Sequence, residues 1–222
     1  HMKRERDLKM WTEEIKEFKD KIETISKQKL TLAEMIEGAK IINAKRSALL
    51  RLDKLRGSHP EIMPISGKDA LFILQMGSMD DPVRYTQKVN ELCDELEERI
   101  VASESVFPQN TPRLMVLGTP LAIPNWKLHT AIESSGGCVI NEESCTGHRY
   151  YKDNVNLENI ANEEEFYERI IERYSKIDCA CFTPNTGRVE KIVQMYKERQ
   201  ADGVVYYTLS FCHTYNVESQ LI

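Results

Sequence analysis

The sequence predicts an α/β protein in which a helical N-terminal arm, residues 1–105, precedes a doubly wound parallel sheet over residues 112–222. Three observations carry this. Apolar residues recur at helical spacing through the first hundred or so positions. After Pro112 short apolar runs alternate with amphipathic stretches, the pattern of parallel strands joined by helices. Glycine, proline and capping residues fall at the changes between them.

In the arm, Ile15, Phe18, Ile22 and Ile25 mark a first helix, with Thr12 as its N-cap and Glu13 and Glu14 in its first turn. Thr31 and Glu34 form a capping box ahead of Met35, Ile36, Ala39 and Ile42, and Leu49, Leu50, Leu52 and Leu55 continue the stripe. Residues 57–64 break it. Ser66 with Asp69 opens a third helix, and Asp81-Pro82 a fourth that carries Val89, Leu92, Leu96 and Ile100. Stripes of this kind predict core packing.

Arg113–Gly118 reads as the first buried strand and Cys138–Ile140 as the second. The helix between them starts at Pro124-Asn125 and ends at Gly136-Gly137. Residues 163–176 form a helix with Phe166, Ile170, Ile171 and Tyr174 inward. Asp178–Phe182 reads as a third strand, Pro184-Asn185 opens another helix, and Gly203–Tyr207 is a fourth strand. The chain ends at Ile222 inside the next helical pattern, so the sheet is expected to be truncated at its C-terminus with an edge left uncovered. The His1-Met2 start has the look of a cloning remnant.

Composition narrows the function. With 29% charged residues and a net charge of −5, the chain lacks the basic footprint of a nucleic-acid binder, and no apolar run reaches the ~20 residues of a membrane span. No secretory signal precedes the six cysteines, which predicts a cytoplasmic protein with thiols or metal ligands rather than disulfides. Dinucleotide and P-loop fingerprints are absent, because Gly118 is followed by no further glycines at the required spacing.

Parallel α/β sheets bind ligands beyond the carboxyl ends of their strands. That rule gathers Cys145, Cys212 and one of Cys179 or Cys181 at one edge, and thiolates converging there suit iron or zinc. Cys93 and Cys138 read as small buried hydrophobes. Cys145 with His148, joined by Cys212-His213, leaves zinc open as a rival ligand. Cys212-His213, adjacent in sequence, make a weak nucleophile–base pair.

At these loops the sequence resembles the 2-hydroxyacyl-CoA dehydratase D-component and benzoyl-CoA reductase family, closest to its double-cubane iron–sulfur cluster branch. The carrying stretches are residues 113–120, 143–147, 179–185 with Arg188, 201–205, and 211–215 with Val217 and Glu218, joined by Asn43, Arg46, Ser66 and Gly67 in the arm. The resemblance implies a flavodoxin-like domain, the second of two, with an iron–sulfur cluster (4Fe–4S or double-cubane) between them. It implies Cys145, Cys179, Cys181 and Cys212 as cluster-binding residues, of which Cys145, Cys181 and Cys212 are the expected direct ligands, with Thr146, His148, Arg149 and His213 around them. It implies an ATP-dependent activator protein with its own cluster as electron donor, a preceding N-terminal domain, and a homodimer or heterodimer. The activity implied is dehydration of a 2-hydroxyacyl-CoA or ATP-coupled reduction of a small molecule. The alternative is a zinc-binding or non-catalytic α/β fragment. Taken alone, these 222 residues are expected to be inactive, to hold no intact cluster and to self-associate.

Overall fold

A computed structural model describes residues 4–182 and 185–222. The four arm helices are α1 (Glu5–Ser26), α2 (Leu32–Gly57), α3 (Gly67–Met76) and α4 (Pro82–Val101). The sheet segment follows as β1 (Arg113–Gly118), α5 (Lys127–Ser134), β2 (Cys138–Glu143), α6 (His148–Tyr151), α7 (Glu163–Ser175), α8 (Thr186–Glu198), β3 (Gly203–Tyr207) and α9 (His213–Glu218).

Local chemistry explains the arm's boundaries. The Thr31 hydroxyl accepts from the Glu34 backbone N–H, and the Glu34 carboxylate accepts from that of Thr31. Ser66 caps α3 through the Asp69 N–H, and Asp81 caps α4 with Pro82 in its first turn. Thr12 is not a cap. α1 begins seven residues earlier and runs through it, and its hydroxyl donates to the Leu8 carbonyl one turn back at 3.1 Å. The stripe on α1 is not core either. Phe18 is 62% and Ile25 83% exposed, because α1 meets the rest of the chain along α7 through Lys16–Glu164 and Lys19–Glu163. The expected packing does hold between α2 and α4, where Leu49, Leu52, Val89, Cys93 and Leu96 are buried with Tyr85 and Tyr151.

The sheet is parallel with order β2-β1-β3. Alternation along β1 divides its residues between two layers. Met115 and Leu117 join Cys138, Ile140 and Ile192 of α8 on one face. Val116 joins Val139, Leu71 of α3 and Trp126 on the other. Helices cover both faces, as expected of an α/β fold.

The expected strand at Asp178–Phe182 is absent, and three strands rather than four pair among the described residues. β3 occupies the edge of β1 that this segment would fill, with Leu114 opposite Gly203 and Gly118 opposite Tyr207. The segment turns instead, Phe182 N–H donating to the Cys179 carbonyl. The Asp178 carbonyl is taken by the guanidiniums of Arg149 and Arg188. The predicted helix start at Pro184 lies outside the described residues; Asn185 precedes α8.

Candidate functional site

Because all three strands are parallel, their carboxyl ends reach one edge and their following loops share it. Cys145 stands two residues past β2, and Cys212 immediately precedes α9 in the loop after β3. Cys179 and Cys181 arrive from the turn between α7 and α8. Two glycines permit the close approach. Gly118 has φ +110° and carries no Cβ to strike the Tyr207 carbonyl, and Gly147 leaves room for the Glu142 carbonyl.

Tyr215 of α9 is the hub. Its hydroxyl lies 4.0 Å from the sulfur of Cys145 and 4.0 Å from that of Cys179. Cys145 and Cys179 act on each other: hydrogen bonding between the thiols pushes Cys145 up from the usual thiol range and pulls Cys179 down. The Cys181 backbone N–H and thiol also favour the Cys179 thiolate. Cys181 is pushed up chiefly by its neighbour Cys179. The Cys212 sulfur lies 3.7 Å from the Thr214 hydroxyl and acts on Cys181 through space. Cys145 and Cys181 are exposed, and Cys179 and Cys212 half-buried. Among the described residues no group of three or more His, Cys, Asp or Glu side chains is placed to hold a metal ion. The donors are soft thiols of the right kind, drawn to one edge but not closed around a point.

Beneath the thiols is a buried ionic layer. Arg149 donates to the Tyr215 hydroxyl at 2.6 Å and to the Gly118 carbonyl at 2.9 Å, and its Nε lies 3.0 Å from Glu143. Arg188 meets Glu143 and Glu218, each at 2.7 Å. Both guanidiniums lie over the Tyr215 ring, 5.6 and 5.7 Å from its centre. Tyr206 donates to the second oxygen of Glu218. Burial pushes the Glu143 carboxyl up, against the pull of the two arginines.

The remaining candidates fall differently. Thr146 is exposed beside Cys145, its hydroxyl 3.5 Å from that of Ser144. His148 turns to the arm: its Nδ1 lies 3.3 Å from Asp53, and its ring rests edge-on against Tyr151. His213 is exposed and lines an outer cleft with Asn216, Val217 and Gln220. Cys93 and Cys138 are buried away from the edge, and burial pushes each thiol up to about 11.

Sequence reasoning gave no role to Tyr215, to the Glu143–Arg188–Glu218 chain, or to a second buried layer. In that layer Arg56 of α2 holds Glu142 at 2.7 and 2.9 Å, and His129 lies 2.8 Å from the same carboxylate. The available signal was charge inside apolar runs: Arg56 ends the α2 stripe, and Glu142 and Glu143 end β2.

Comparison with known proteins gives the family. The family described as 2-hydroxyglutaryl-CoA dehydratase, D-component, matches residues 1–222. The chain is 29% identical over 181 residues to the protein named "Putative dehydratase subunit YjiM" of Escherichia coli (strain K12), covering 81% of this chain and 45% of that one. It is 22% identical over 194 residues to the (R)-phenyllactyl-CoA dehydratase beta subunit of Clostridium sporogenes, covering 87% of this chain and 48% of that one. The chain spans about half the length of these curated relatives. With a family match over every residue and a parallel α/β core, the chain belongs to the 2-hydroxyglutaryl-CoA dehydratase D-component family.

Proposed function

We propose that this chain forms part of an iron–sulfur 2-hydroxyacyl-CoA dehydratase, which converts its thioester to the 2-enoyl-CoA and water, or of a related ATP-coupled reductase. The observation that carries the reading is the pair of sulfurs, Cys145 and Cys179, both 4.0 Å from the Tyr215 hydroxyl at the strands' carboxyl edge. Cys181 adjoins Cys179, and Cys212 reaches the same edge.

Cys145, Cys212 and the Cys179/Cys181 pair would hold the cluster, and residues of a companion domain or subunit would complete its shell. The cluster, when bound, supplies low-potential electrons received from an ATP-dependent activator. The chain's own side chains set its surroundings. The Tyr215 hydroxyl offers one proton toward two sulfurs. Arg149 and Arg188 place fixed positive charge behind that hydroxyl, and Glu143 and Glu218 balance them. Such buried donors favour the thiolate form a soft metal requires. Thr146 borders the edge from the solvent side.

The test is turnover. The protein at its full natural length, purified without oxygen with its companion subunit and activator, should form 2-enoyl-CoA from 2-hydroxyacyl-CoA thioesters only when ATP is present. Screening aromatic and aliphatic substrates by mass spectrometry reads this directly. Turnover that ignores ATP, or water loss unaffected by Cys145→Ser, would reject the proposal.

A further inference from the structure

Along α1, Leu8, Trp11, Ile15, Phe18, Ile22 and Ile25 follow one another at alternating steps of three and four residues. That is the spacing of a coiled-coil seam, kept over about 27 Å of helix, rather than the wider stripe of a helix laid into a core. Phe18, Ile22 and Ile25 are exposed, and Leu8, Trp11 and Ile15 are half-buried. α1 meets α7 along another face, roughly a quarter turn round the helix. There Thr12 and Glu23 are buried, and Lys16 and Lys19 reach Glu164 and Glu163 at 2.7 and 2.8 Å. One face therefore holds the helix in place while its apolar seam meets water, the condition of a surface awaiting a partner.

The order of the seam residues selects that partner. Laid against a second α1 running the opposite way, the seam sets Leu8 against Ile25, Trp11 against Ile22 and Ile15 against Phe18. All three pairs share one midpoint, between Lys16 and Glu17, so a single two-fold axis serves every layer. Each aromatic ring then meets an isoleucine rather than another ring. Charge agrees with this register. Glu14 and Lys21 flank the seam on the side away from α7, both exposed, and in the antiparallel pair Glu14 of each copy lies beside Lys21 of the other. The neighbour Lys21 has on its own helix, Glu17, is 3.9 Å away and also exposed, which holds it weakly. A parallel pair would set Glu14 beside Lys19 instead, and Lys19 is already taken by Glu163.

We propose that α1 is a self-association helix, through which two copies of this chain pair as an antiparallel two-stranded coiled coil with Glu14 and Lys21 matched across the two-fold axis. The surface is separate from the β3 edge, and nothing in the argument depends on the iron–sulfur reading. So short a seam falls below the ~800 Å² per partner of a standard interface, so the dimer dissociates in the micromolar range.

Sedimentation equilibrium of the protein at its full natural length, at about 1 to 100 µM, tests this. The native protein should pass from monomer to dimer over that range. Phe18→Ser with Ile22→Ser should remain monomeric throughout. Glu14→Lys alone and Lys21→Glu alone each place like charges together twice in the dimer, and each should weaken it about fivefold or more. The two reversals combined restore opposite charges and should recover most of the native affinity. All four positions are exposed, so circular dichroism should show an unchanged fold in every variant. A native protein that stays monomeric, as when another segment of the same chain covers the seam, overturns the proposal. A dimer indifferent to the loss of Phe18 and Ile22, as one formed at the β3 edge would be, does so as well. A doubly reversed protein no tighter than the single reversals overturns the antiparallel pairing.

Discussion

Replacing Tyr215 by Phe isolates the hub hydroxyl. The ring, its volume and its stacking against Arg149 and Arg188 stay. What goes is the acceptor for Arg149 Nη1 at 2.6 Å, and among the described residues the acceptor left near that nitrogen is the Asp178 carbonyl at 3.5 Å. A charge-assisted hydrogen bond lost from a buried donor costs on the order of 2 kcal/mol. For a chain of this length that lowers Tm by about 4–8 °C. Scanning calorimetry of the metal-free chain reads it, and an Arg149→Met background supplies the control. With the donor gone, Tyr215→Phe should cost almost nothing further, so the two losses are not additive. A Tm within about 1 °C of the native value, or equal losses in both backgrounds, would refute the view that Tyr215 and Arg149 act as one unit.

Glu142→Ala strands the buried Arg56 and should cost about 3–5 kcal/mol in urea denaturation, whereas Arg56→Met with Glu142→Leu should recover most of it. The same pair sets an acid limb. Burial pushes the Glu142 carboxyl up, but Arg56 and His129 outweigh it and hold the group at about 2 against the usual 4.5. A depressed carboxyl stabilises fully above its unfolded value, so the urea midpoint should fall as pH drops from about 4.5 toward 2, and less so in Glu142→Gln. A flat midpoint across that window would contradict the assignment. Cys93 and Cys138, both buried with their thiols pushed up to about 11, should resist iodoacetamide at pH 8 until the chain is denatured, while Cys145 and Cys181 react in the folded state. Peptide mass spectrometry decides; early labelling of Cys93 would show that α2 and α4 do not pack as described.

Features that depend on near neighbours were legible in the sequence. Thr31 with Glu34, Ser66 with Asp69, and Asp81 with Pro82 cap their helices through groups two or three residues away, and β1 and β3 lie at their expected positions. Features that depend on distant partners were not. Asp178–Phe182 has the composition of a strand, yet β3 takes the edge it needed and two arginines take a carbonyl it would have paired. Periodicity marked a face of α1 without saying what would cover it, and Ile25 stays in water. Arg56 and Glu142 stand 86 residues apart, so nothing local announces their pairing. At the candidate site the strand-end rule pointed to the loops that carry Cys145 and Cys212, but Cys179 and Cys181 come from a turn that follows no strand, and the rule does not single out Tyr215, whose hydroxyl α9 sets 4.0 Å from two of the sulfurs.

Iron and acid-labile sulfide content bears most directly on the cysteine assignment. The protein at its full natural length, expressed and purified without oxygen, should contain iron and sulfide in equal, stoichiometric amounts. It should show a paramagnetic resonance signal on reduction. Cys145→Ser and Cys212→Ser should each lose most of the iron, while Cys93→Ser keeps it. A protein that carries zinc without sulfide, or that keeps its iron when Cys145 and Cys212 are both replaced, would contradict the assignment.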